Sequence, residues 1–124
     1  MKLYKKPIIT LDAGVAEGVY AASGADSFSV DDGGVVADWG NGNGQRKFSL
    51  DLSSLKGKNV KLTITFNMTI VSGWSDGFDN SVNGSTLTLT CYSSPESAIV
   101  TVQTNDNVNT LKVTSFALIS AHNN

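Results

Sequence analysis

The sequence predicts an all-β fold, an antiparallel β-sandwich carrying an N-terminal extended arm, and three observations lead there. Residues 60–71, VKLTITFNMTIV, set Val60, Leu62, Ile64, Phe66, Met68 and Ile70 against Lys61, Thr63, Thr65, Asn67 and Thr69. This is the period of two that a half-buried strand requires, and β-branched and aromatic types fill its apolar side. From Ser27 onward, clusters of Gly, Asn and Asp punctuate the chain at the short intervals expected of a sandwich or barrel. Charged residues make up only 16% of the chain, so its exposed faces must be built from the plentiful Thr, Ser, Asn and Gly, which suits sheets better than helices.

At 124 residues the chain fits one domain, able to bury roughly two-thirds of the surface its unfolded form exposes. Its organisation divides into an arm and connector, residues 1–25, and a single sandwich domain, residues 26–124. The arm begins with a basic stretch and the short apolar run Ile8, Ile9, Thr10, Leu11, which reads as a strand. A small-residue connector follows, with Gly14, Gly18 and Gly24 and no hydrophobic face of its own, so Val15, Val19 and Tyr20 need a partner elsewhere.

In the domain, SFSV at 27–30 predicts a short strand ended by a turn at Asp31, Asp32, Gly33 and Gly34. VVADW at 35–39 is a second strand, and NGNG at 41–44 a loop. KFSLDL puts Phe48, Leu50 and Leu52 on one face, and SSLKGKN turns the chain into the strand at 60–71. Residues 72–85, SGWSDGFDNSVNGS, read as one long irregular loop, the kind of segment that often carries function. TLTLTCY resumes the alternation, SSPES breaks it, and AIVTVQT and TLKVTSFALISA supply the last two strands. In the final one Leu111 and Val113 are out of phase with Phe116 and Leu118, which a bulge near Thr114 or Ser115 reconciles. About eight strands result, the number of a jelly roll.

Several chemistries are argued against at this level. A net charge of −2 offers no basic face for phosphates, and Lys2, Lys5 and Lys6 are too few to make one. The one cysteine, Cys91, allows no intramolecular disulfide, and its place in register with Leu87 and Leu89 predicts a buried thiol. The one histidine, His122, is expected in a surface tail, where it could not be held as a catalytic base. Asp31, Asp32, Asp38, Asp76 and Asp79 could supply a glycosidase pair only if a pocket raised one carboxyl pKa, and their Gly, Ser and Asn neighbours point to turns instead. Asp76 and Asp79, with Asn80, are a weak calcium candidate whose spacing matches no defined loop. No enzyme activity and no cofactor are expected. PIITL after Lys5 and Lys6 is shorter than the run of about 7–15 apolar residues in a secretion signal. No stretch approaches the roughly 20 apolar residues of a membrane span.

Two binding readings follow. Trp39, Trp74 and Phe78, beside Asn80 and other amides, could cover the apolar face of a sugar ring while polar neighbours meet its hydroxyls. The stretch LDLSSLKGKNVKLTITF resembles the corresponding region of galactose-binding-like jelly rolls and other carbohydrate-binding modules, which implies the fold and a glycan partner. The second reading rests on the arm. Its Ile8, Ile9 and Leu11, on a connector of about 14 residues with a reach of at most about 45–50 Å, could add a strand to a neighbour's sheet edge. A jelly-roll core preceded by such a connector resembles bacterial spore-appendage and pilus-like fibre subunits, which implies an extracellular or cell-surface homopolymer. Spore-appendage subunits carry N-terminal cysteines for inter-subunit disulfides, whereas this arm has none. The expectation is a self-assembling structural subunit, with a carbohydrate-binding module as the alternative. Cytoplasmic residence, and an arm that folds back as strand one of its own sandwich, stay open at this point.

Overall fold

The structure, a computed structural model, describes residues 26–123. The expected arm, with Ile8, Ile9, Leu11, Val15, Val19 and Tyr20, lies outside the described residues. Within them the chain forms β1 (Ser29–Gly40), β2 (Asn43–Asp51), a single 3-10 turn (Ser53–Leu55), β3 (Asn59–Phe66), β4 (Ser72–Trp74), β5 (Asp79–Asn83), β6 (Thr86–Cys91), β7 (Ser97–Thr104) and β8 (Val113–His122). Two four-stranded sheets result, ordered β1-β2-β7-β4 and β5-β6-β3-β8, with every pairing antiparallel. The all-β sandwich is therefore present as the alternation predicts.

The core lies between the sheets. From one side come Phe48 and Leu50 of β2 with Val100 and Val102 of β7; from the other come Val60, Leu62 and Ile64 of β3 with Leu87 and Leu89 of β6. Each is at most 2% exposed, and burying one such side chain stabilises the fold by roughly 1.5–3 kcal/mol. The outward partners across β3 and β6 are Thr63 opposite Thr88 and Thr65 opposite Thr86, the latter pair joined by their hydroxyls at 3.3 Å.

The central strand is shorter than its sequence pattern. β3 stops at Phe66, because Asn67 turns its side chain to the segment that precedes β8: its Nδ2 donates to the Thr110 carbonyl at 2.8 Å and its Oδ1 accepts from the Lys112 amide at 3.0 Å. Beyond it the chain crosses to the other sheet. The Ile70 amide bonds the Gly84 carbonyl on one side, and the Val71 amide bonds the Gln103 carbonyl on the other. Ile70 is still buried and Met68 half-buried, so the alternation persists through the crossing although the strand does not.

Three other segments depart from the sequence reading. The DDGG stretch is no turn: β1 runs through it with register shifts after Asp32, Val35 and Asp38, and the Asp32 carboxylate accepts the Gly34 amide at 2.7 Å where Gly34 takes φ 91°. NGNG is tighter than a loop. Asn41 (φ 57°) and Gly42 (φ 85°) form a two-residue hairpin with Gly40 opposite Asn43, and two positive φ values in succession are what the Asn-Gly pair tolerates best. Residues 72–85 are not irregular, since β4 joins one sheet and β5 the other. Between them Phe78 N bonds Ser75 O at 3.1 Å, closing a turn with Gly77 at φ 83°. The last strand bulges at Thr114, as its phase slip predicts, and again at Ile119. Eight strands are thus present among the described residues, with a membership different from the expected one.

Candidate functional site

β1 and β8 are the outermost strands of their sheets on the same side of the sandwich, each with one partner strand among the described residues. They leave a groove of about 610 Å³ between them. One wall is residues 27–30 and the other residues 113–116, each about 13 Å long at strand spacing. Phe28, Val30, Val113 and Phe116 give the groove its apolar surface, five serines and Thr114 its hydroxyl lining, and Asp51 its one charge among the described residues. Phe28 and Phe116 reach across it in a tilted ring contact, centroids 4.9 Å apart. Phe28 is buried, whereas Val30, Val113, Phe116 and Leu118 are only partly so: the core is less completely covered here than at its centre, where β3 and β6 residues reach zero exposure.

The chain enters the sandwich at the mouth of this groove. Ser27 and Ser54 are tied twice, the Ser27 amide donating to Ser54 Oγ at 3.2 Å and that hydroxyl donating to the Ser27 carbonyl at 2.7 Å. Lys58 pairs with Asp26 at 2.8 Å. Nearby, the Ser53 hydroxyl, at 2.7 Å, and then its amide, at 3.0 Å, donate to Asp51 and hold that carboxyl below its usual value of 3.8. The groove therefore keeps a negative charge at neutral pH.

A second polar cluster lies where β1 and β2 meet the segment before β8. Arg46 forks onto Asp32, Nε to Oδ1 at 3.0 Å and Nη2 to Oδ2 at 2.8 Å, while Nη1 donates to the carbonyls of Val108 and Asn109. The Arg46 hydrogen bonds first, and the Gly34 amide with them, lower the Asp32 pKa against the opposing effect of burial. Asp38 is lowered as well, by the Asn109 side chain and the Gly40 amide. A glycosidase acid needs the opposite shift. The cluster is a clamp holding the 107–110 segment to the sheet.

The residues proposed for sugar contact are spread over the molecule. Trp39 is exposed on β1 and Trp74 on β4, the two outermost strands of one sheet and about 14 Å apart in the sheet direction alone. Asn80 lies on β5 in the other sheet. Phe78 is 8% exposed and belongs to the core, so its ring face is not offered to a ligand. Asp76 and Asp79 are exposed, Asp76 in the turn before β5 and Asp79 as its first residue, and among the described residues no three His, Cys, Asp or Glu groups gather to hold a metal. Cys91 is buried opposite Val60, its thiol on the Ser93 carbonyl at 3.2 Å. His122 differs from its expected place in a loose tail: it is exposed but ends β8, in register with Asn59.

Sequence reasoning missed the groove because its walls are about 85 residues apart in the chain. The phase slip in the last strand was the one signal, since it marks where β8 leaves regular pairing. Among the described residues no helix is long and apolar enough to cross a membrane. Comparisons with protein-family models, with curated proteins and with solved structures find no match to this chain.

Proposed function

We propose that this chain is a non-enzymatic structural subunit that self-assembles into an extracellular filament or surface appendage, its N-terminal arm adding a strand to a neighbouring copy. The observation that carries the reading is the groove between β1 and β8: a slot with an apolar patch among hydroxyl side chains, flanked by two strand edges, at the point where the arm joins the domain. An open edge is a template for strand addition, and a slot that leaves core residues half-covered rewards whatever fills it. The jelly-roll reading is supported by the wrapping of the chain, which changes sheet at every connection except the hairpins β1-β2 and β5-β6 and pairs β2 with β7 and β3 with β6. Strand donation from each copy to the next is head-to-tail, and its product is a fibre when the rotation between copies does not close a ring.

Electron microscopy and analytical ultracentrifugation of the full chain across a concentration series test the reading. Filaments that lengthen with concentration, and that are lost in Ile9→Asp, are expected. A monodisperse monomer at every concentration overturns it. The sugar reading keeps Trp39 and Trp74, both exposed, on the two outermost strands of one sheet; a glycan array on which wild type, Trp39→Ala and Trp74→Ala behave alike removes it.

A further inference from the structure

We infer that the groove between β1 and β8 is the acceptor for residues 8–11 of the arm, seated with Ile9 and Leu11 inward against Phe28, Val30 and Phe116 and with Ile8 and Thr10 outward. The inference rests on the self-assembly reading for its occupant being another copy, but the groove and the orientation stand on their own observations. The first is length. Each wall spans four residues, as does Ile8, Ile9, Thr10, Leu11. The second is regularity. β8 bulges at Thr114, inside its wall of the groove, and again at Ile119, so its uninterrupted window 115–118 starts at Ser115 and Phe116 of the groove and runs on past it, as the unbulged stretch Ser29 to Asp32 of β1 starts at Ser29 and Val30.

The third observation is polarity. Along β8, Phe116 and Leu118 lie opposite Ile64 and Leu62 and face inward, while Ser115 and Ala117 lie opposite Thr65 and Thr63 and face outward. A strand laid beside this window places alternate residues on the same two faces. The apolar pair Ile9 and Leu11 meets the inward row, and Thr10 meets the serine and alanine row. The fourth is charge. Asp51, held ionised, is the groove's one charged residue among the described residues, and Lys5 and Lys6 stand just ahead of Pro7 and the docking segment, so the arm brings cations to an anionic slot. Pro7, with no amide to donate, precedes the segment where a ladder would begin.

Disulfide trapping in the full chain, with Cys91→Ala removing the native thiol, tests both the groove and the orientation. Thr10→Cys or Ile8→Cys combined with Ser115→Cys puts thiols on the same outward face, where neither substitution touches the core. Mild oxidation is expected to consume the free thiols of at least one of these pairs and to give a ladder of covalent oligomers on a non-reducing gel. Ile9→Cys with Ser115→Cys, on opposite faces, is expected to stay reduced. If both outward pairs stay reduced while the unmodified chain still polymerises, the groove is overturned and self-assembly is not. If the bridge forms only within single chains, the groove stands and self-assembly through it falls. Equal trapping of the Ile9 pair overturns the orientation.

Discussion

Asp32 shows how one side chain joins three segments. Its carboxylate receives Arg46 in a two-pronged contact and the Gly34 amide in the bulge, while the same arginine holds the Val108 and Asn109 carbonyls. Because the folded carboxyl lies below 3.8, its ionised form stabilises the fold. That contribution is complete above the unfolded value and is lost as pH falls through the lower folded value. Asp32 is 43% exposed, so solvent screens the pair and its worth is under about 1 kcal/mol. Thermal melts taken from about pH 5 down to about pH 2 should fall less steeply for Asp32→Asn than for wild type; parallel curves would show that the pair carries no acid sensitivity. Gly42 is the stricter position. Its φ of 85° and the Asp106 carbonyl where a Cβ would stand leave no space for a side chain, whereas a Cβ added at Gly34, at φ 91°, would meet nothing within 4 Å. Gly42→Ala is expected to cost about 2–4 kcal/mol and Gly34→Ala only about 1–2, read as urea midpoints. These glycines were legible as turn formers, but that one closes a hairpin and the other eases a bulge depends on the partner strand, which sequence spacing does not contain.

At the level of elements, apolar alternation located β2, β3, β6 and β7 well, because each buries one face against the other sheet and a slip of one residue would invert it. It failed at residues 67–71. The crossing between sheets is extended and passes over the core, so it too alternates, and the end of the pairing is marked by Asn67, whose side chain makes two bonds and whose amide donates to the Lys112 carbonyl at 3.0 Å. Asn67→Ala should destabilise the protein by about 1–2 kcal/mol, measured by urea denaturation, through loss of the side-chain bonds to the Thr110 carbonyl and the Lys112 amide, the backbone bond to Lys112 being kept. A change within error would mean that the ladder beyond β3 terminates without it. Residues 72–85 misled in the opposite sense. Trp74 and Phe78 look like loop aromatics in the sequence, yet Trp74 ends the strand β4, and Phe78, in the turn just before β5, fills the core. Burial there is set by the turn at Ser75 and Phe78, a contact three residues long that no periodicity reveals.

For the molecule as a whole, the fold class was readable and the candidate site was not, since a groove made by Phe28 and Val30 on one side and Val113 and Phe116 on the other exists only in three dimensions. If copies bind one another through it, mass action links stability to concentration: the full chain should melt at a higher temperature as its concentration rises, and Ile9→Asp should abolish that rise. A concentration-independent melting temperature in both would argue for a strand held within its own domain.

The walls of the groove also fix an order in time. One is laid down by the first described strand and the other by the last, and β8 must pair with β3 before the second wall stands. Pairing between such distant segments is slow compared with local structure, because the intervening chain must be closed into a loop first. A half-made or half-folded chain consequently offers no receptor to an arm, and polymerisation of the kind proposed would admit only molecules that have finished folding.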